Sequence, residues 1–157
     1  HEQGIVHRDL KPSNIMIIKP EEDGSYVKLL DFGIAKSSSP NDQEQRLTRK
    51  GAIFGSPLYM SPEQISGKEV DQQSDIYSLG CLMYEALTGV PPFQGNTVIV
   101  TLVKHIQETA PKFSEVTKRK IPAELEELVF ACMEKDPANR TKTVKDICAG
   151  LKQILDT

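Results

Sequence analysis

Eight residues near the start of the chain, His7-Arg8-Asp9-Leu10-Lys11-Pro12-Ser13-Asn14, hold an imidazole, two cations, an acid and a carboxamide. A second acid, Asp31, comes later in Asp31-Phe32-Gly33. Between them two apolar runs, Ile15-Met16-Ile17-Ile18 and Tyr26-Val27-Lys28-Leu29-Leu30, flank a turn rich in Pro, Asp and Gly, which is the pattern of a β-hairpin. A hairpin returns its end to near its start, so Asp31 is expected to come close to Asn14 and Asp9. Two carboxylates and a carboxamide oxygen at one spot suit a hard, octahedral Mg²⁺ that also holds phosphate oxygens. A neighbouring Lys11 would steady a transferring phosphoryl group, and the remaining Asp would take the proton of an attacking hydroxyl. Phosphoryl transfer is the chemistry these residue types suit. Taken singly they read otherwise: His7 as a structural histidine, Lys11 as a solvated charge, Asp31 as the cap of a turn. Only their arrangement promotes them.

The elements that must hold these residues change character along the chain. Residues 1–36 are short β-like pieces and turns, and 37–60 form a polar stretch that reads as a long loop. From Ser61 onward the pattern is helical. Ser61-Pro62-Glu63-Gln64 carries a capping box, and Gly67 ends that helix quickly. Asp75–Leu87 is apolar nearly all round, as in a helix buried on most sides. Three further stripes at spacings of three and four read as core-facing helices. The first is Val98, Ile99, Leu102, Val103 and Ile106 behind an Asn96 cap; the second is Leu125, Leu128, Val129, Cys132 and Met133 behind Pro122. The third is Val144, Ile147, Cys148, Leu151, Ile154 and Leu155. The expected fold class is α+β, mainly helical, with one small hairpin.

Composition limits the remaining classes. The 157 residues, 38% hydrophobic and 26% charged, suffice for one domain with a real core. A net charge of −3 gives no general affinity for nucleic acid or acidic membranes. Cys81, Cys132 and Cys148 form no C-x-x-C pair and read as buried small hydrophobes of a reducing compartment. No apolar run approaches the roughly 18 residues of a membrane span, so this segment is expected to be cytoplasmic and free of membrane contact. Any tether would lie elsewhere in the protein. His1-Glu2-Gln3-Gly4 reads as the end of a helix and its Gly stop, as though the chain opened inside a longer protein.

The series His7-Arg8-Asp9-Leu10-Lys11-Pro12-Ser13-Asn14, Asp31-Phe32-Gly33 and Ser61-Pro62-Glu63 resembles the protein-kinase signature set in order and spacing. Asp75-Ile76-Tyr77-Ser78-Leu79-Gly80 resembles the start of that family's buried central helix, and Asp136-Pro137-Ala138-Asn139-Arg140 its late Arg motif, so the likeness covers nearly the whole chain. Lys11 resembles the Ser/Thr branch, and Tyr59-Met60-Ser61-Pro62-Glu63-Gln64 the bacterial, eukaryotic-type (Hanks-type) members. The resemblance implies roles. Asp9 would be the catalytic base and Lys11 the γ-phosphoryl stabiliser; Asn14 and Asp31 would hold Mg²⁺, with ATP as donor and protein hydroxyls as acceptors. His7, Phe32 and Gly33 would be structural, and Arg8 would meet a phosphate on the activation loop. Thr48, beside Arg46, Arg49 and Lys50, is the candidate phosphosite, preferred over the linker-like Ser37, Ser38 and Ser39. Gly55, Ser56 and Tyr59 would belong to the substrate shelf, with Ser56 in place of the usual Thr. Glu63 and Arg140 would form a buried ion pair, and Asp75 would bond backbone N–H groups of the catalytic loop.

Departures are few. Ser61 stands for the common Ala, Thr141 for the common Pro, and the hairpin tip is longer than usual. No G-x-G-x-x-G occurs in the chain. Residues 1–157 are therefore expected to be a partial kinase domain, the C-terminal lobe, whose ATP-covering N-lobe is a partner contributed by the same polypeptide. By itself the fragment is expected to be inactive. The alternative is a kinase-like scaffold that binds partners without catalysis, against which the intact Asp9, Asn14 and Asp31 argue.

Overall fold

A computed structural model describes residues 1–19, 26–31 and 56–156. Phe32, Gly33, Thr48 and Gly55, with the hairpin tip, lie outside the described residues.

The hairpin forms as its pattern predicts. A 3₁₀ turn, Pro12–Asn14, leads directly into β1 (Ile15–Ile18), which pairs antiparallel with β2 (Tyr26–Leu29). The register sets Ile15 opposite Leu29, Met16 opposite Lys28, Ile17 opposite Val27 and Ile18 opposite Tyr26. Both Ile17 and Val27 stand exposed, at 65% and 62% of their surface, so this two-stranded sheet leaves an apolar pair open.

A second 3₁₀ turn, Pro57–Tyr59, precedes α1 (Pro62–Ile65). Ser61 and Gln64 close the capping box reciprocally, which satisfies donors a helix start otherwise leaves orphaned. The central helix, α2 (Gln72–Thr88), starts earlier than the expected Asp75 because Asp71 caps it by accepting the Gln73 N–H at 2.8 Å. It stops at Gly89, whose φ of 86° suits a residue without a Cβ. Ile76, Tyr77, Cys81 and Tyr84 on α2 are fully buried, and burying each large one contributes roughly 1.5–3 kcal/mol. Gly80 lets α2 approach the end of α5 (Ala123–Cys132), since a Cβ there would lie 2.8 Å from Cys132. Phe93, Phe113, Val129 and Met133 complete the main core, and Cys132 and Ile147 a smaller one beside Ile76.

Three expectations need correction around α3 (Val98–Gln107) and α6 (Val144–Leu155), which with the single turn α4 (Phe113–Val116) complete the helices described. Thr97, not Asn96, caps α3, accepting the Val100 N–H. The apolar stripe of α3 does not face the core: Ile99 is 73% exposed, and Val98, Val103 and Ile106 are also exposed. The inward side carries Thr101 and His105 instead. Thr101 is bonded to Gly95 and Thr97, and His105 pairs through Nδ1 with the Tyr77 hydroxyl and lies against the Phe93 ring, while its buried Nε2 has no hydrogen-bond partner among the described residues. Burial therefore follows the partners available and not the stripe. On α6, Val144 and Leu155 are exposed, and so is Cys148, because Ile147, one position and about 100° away, turns into the core with Leu151 packed beside it. The mainly helical α+β class holds. No helix among the described residues is long and apolar enough to cross a membrane.

Candidate active site

The loop before β1 is held from beneath by α2. The buried carboxylate of Asp75 accepts the N–H of His7 at 2.7 Å on one oxygen and that of Arg8 at 2.8 Å on the other. His1 Nε2 donates to the first of these at 2.9 Å. Arg8 needs that grip, since its φ of 66° is a left-handed conformation an Arg rarely adopts. Burial pushes the Asp75 carboxyl up from the ordinary range, and the two backbone N–H bonds offset this only in part.

Four polar residues meet above that floor. Lys11 Nζ lies 2.8 Å from Asp9 Oδ2. Asn14 Nδ2 donates to the Asp9 carbonyl at 2.8 Å. That leaves Oδ1 as the acceptor of the buried Asn14 amide. His7, also buried, donates from Nε2 to the Leu30 carbonyl at 3.0 Å, across the open end of the hairpin. The Leu30 N–H in turn donates to the Asn14 carbonyl at 2.9 Å, which brings the exposed Asp31 to that end. Asp31 also has a positive φ, 51°. An amide oxygen and an exposed carboxylate are both hard oxygen donors, so the residue types present fit Mg²⁺. Among the described residues no cluster of three His, Cys, Asp or Glu side chains is poised to hold a metal by itself.

Asp9 opens onto a small cleft that Arg8, Ser56, Tyr59, Gln64 and Ser78 also line. The 3₁₀ turn beside it is pinned to α2 twice. Ser78 Oγ donates to the Tyr59 carbonyl at 2.7 Å, and the Tyr59 hydroxyl donates to Glu85 at 2.5 Å. Burial, and then the Glu85 carboxylate, raise the Tyr59 phenol well above its usual value. Behind the turn Arg140, with no exposed side-chain surface, grips Glu63 through both guanidinium nitrogens, at 2.7 and 2.8 Å. Burial by itself would raise the Glu63 carboxyl; hydrogen bonds from Arg140 and Ser74, with the guanidinium charge, bring it below the usual range.

The structure thus brings together Asp9, Lys11 and Asn14, sets Ser56 and Tyr59 beside them, and pairs Glu63 with Arg140. Arg8 joins through its backbone; among the described residues its guanidinium has no hydrogen-bond or ion-pair partner. Sequence reasoning missed His1, Gln64, Ser78 and Glu85. The only signal any of them gave was the capping box of Gln64.

A family model described as the protein kinase domain matches residues 1–151. The chain is 43% identical, over 98% of its length, to a probable serine/threonine-protein kinase of Clostridium perfringens, of which it covers 21%. It is 37% identical to serine/threonine-protein kinase pkn3 of Myxococcus xanthus, covering 98% of the chain and 28% of that protein. With serine/threonine-protein kinase PknB of Mycolicibacterium smegmatis it shares 40% identity over 98% of the chain and 24% of that relative. The chain spans about a quarter of the length of these curated relatives.

Proposed function

The chain belongs to the protein kinase family, and on that premise we propose that it is the C-terminal lobe of a protein kinase domain that transfers the γ-phosphoryl of ATP to Ser or Thr hydroxyls of protein substrates. One observation carries the reading. Asp9, Lys11 and Asn14 form one hydrogen-bonded cluster on a loop anchored by Asp75, and it opens onto the cleft that Ser56 and Tyr59 line.

Asp9 accepts the proton of the substrate hydroxyl, whose oxygen then bonds to the γ-phosphorus. The bond from that phosphorus to the β–γ bridging oxygen breaks, and ADP leaves. Lys11, already paired with Asp9, swings its ammonium onto the phosphoryl oxygens. Asn14 Oδ1 and the Asp31 carboxylate hold Mg²⁺, which when bound neutralises charge on the phosphates. Ser56 and Tyr59, with Gly55, support the substrate chain. Arg8 receives a phosphate on the segment that contains Thr48, where about −1.5 to −2 added charges would offset the local Arg and Lys repulsion. Polypeptide outside these residues covers ATP, so residues 1–157 alone transfer little or no phosphate. The segment acts in the cytoplasm, with protein substrates as its partners.

The test is ATP-dependent phosphorylation of a generic protein substrate by the full-length protein and its variants. Asp9→Asn should lower kcat by roughly 10²–10⁴-fold, the usual range for a lost acid–base group, while sparing ATP affinity. Asp31→Asn should weaken Mg²⁺-dependent nucleotide binding as well. An unmodified protein that binds partners but transfers no phosphate would favour the scaffold reading instead.

A further inference from the structure

Gln64 has a second task that its capping role hides. Its Oε1 accepts the N–H of Ser61 at 3.0 Å and lies 3.2 Å from the Ser61 hydroxyl, which closes the cap of α1. Its Nε2 reaches the other way and donates to the Arg8 carbonyl at 2.9 Å. Arg8 is the left-handed residue directly before Asp9. Its N–H is held from α2 by Asp75 at 2.8 Å, and its C=O is held from α1 by Gln64. The peptide plane joining Arg8 to Asp9 is thereby fixed from a helix that continues the shelf turn Pro57–Tyr59. Gln64 also lines the cleft that Asp9 and Ser56 share.

We propose that Gln64 is a positioning residue that couples the substrate shelf to the catalytic base, its amide N–H orienting the Arg8–Asp9 peptide while its amide oxygen closes the cap of α1. The inference rests on the reading of Asp9 as the base. The amide is the chemical requirement: one group must accept from Ser61 and donate to Arg8 at once, and a carboxylate of the same shape can only accept.

That asymmetry supplies the test. In the full-length protein, Gln64→Glu keeps the acceptor for the cap and loses the donor to Arg8. Ser61→Ala loses the capping hydroxyl and keeps the donor. Gln64→Glu should lower kcat roughly 10- to 100-fold, the scale of a misplacement of about 1 Å, with the KM for ATP unchanged and the melting temperature near that of the unmodified protein. Ser61→Ala should lower the melting temperature while kcat, assayed well below it, stays within about twofold. Full activity in Gln64→Glu overturns the inference, as does a kcat loss that Ser61→Ala reproduces in equal measure. An unmodified protein without transfer activity overturns the functional reading and this inference with it.

Discussion

Two acids are buried among the described residues, Glu63 and Asp75, and the same carboxylate is put to opposite uses. Glu63 meets a guanidinium whose geometry matches it, and its pKa falls despite burial. Asp75 faces the two backbone N–H groups of His7 and Arg8 with His1 as a third donor, and its pKa rises. The first arrangement satisfies both charges and ties α1 to the segment before α6. The second leaves a desolvated charge incompletely compensated so that two peptide groups, one in a left-handed residue, stand in a fixed orientation. A strut and a clamp have different thermodynamic signatures, and experiments can separate them.

The largest effect is expected at the strut. Arg140→Met leaves Glu63 buried and unpaired, which costs about 3–5 kcal/mol, or roughly 6–20 °C in melting temperature for a domain of this size. Replacing both partners, Arg140→Met with Glu63→Leu, should recover much of that loss. If the double variant melts no higher than the single one, the pair is not the source. Asp75→Asn should destabilise less, by about 1–3 kcal/mol, because one backbone N–H then faces an amide donor. Its turnover should fall far more than that of Arg140→Met assayed while still folded. Equal kcat losses would erase the distinction between strut and clamp.

The pH dependence sharpens the contrast further. Glu63 contributes stability above the ordinary carboxylate range and loses it as pH falls through its lowered value. The raised Asp75 keeps its proton in the fold to higher pH than in the unfolded chain, so its contribution weakens as pH rises through that interval. His105 sides with Glu63: burial, then the nearby Lys135 charge, lower it to about 3, so below its ordinary 6.5 the unfolded chain gains a proton the fold excludes. Melts between about pH 7 and 4 should show Glu63→Gln flattening the loss on acidification and Asp75→Asn steepening it. Unchanged slopes in both would break the comparison. The smallest effect is expected far from either acid. Ile99→Ser, on the outward stripe of α3, should shift stability by no more than about 0.5 kcal/mol in a denaturant titration.

That last case marks where the sequence stops being legible. The hairpin, the capping box of α1 and the all-round apolar α2 follow from local chemistry, and local pattern recovers them. Asp9, Lys11 and Asn14 share one short segment, so their meeting needs little more than a turn. The direction in which α3 turns its stripe is different. It depends on Tyr77 and Phe93 receiving His105, and on Gly95 and Thr97 receiving Thr101, none of which periodicity encodes. Gln64 was visible only as half of a cap because its other partner, Arg8, lies 56 residues away. Cys148 looked like core because neighbouring positions on a helix share composition but not direction.

The clamp has a consequence in time. His7 and Asp75 are separated by 68 residues, which a ribosome adding about 5–20 residues per second takes roughly 3–14 s to make. The loop that carries Asp9 leaves the ribosome first, and the carboxylate that shapes it follows well after. Through that interval the hairpin can close, since its contacts are local, but the peptides of His7 and Arg8 have nothing to hold them. The same order should govern refolding, where long-range contacts form slowly: native helix content should return before the loop of His7, Arg8 and Asp9 is set, and on the proposed function the full-length protein should regain transfer activity last.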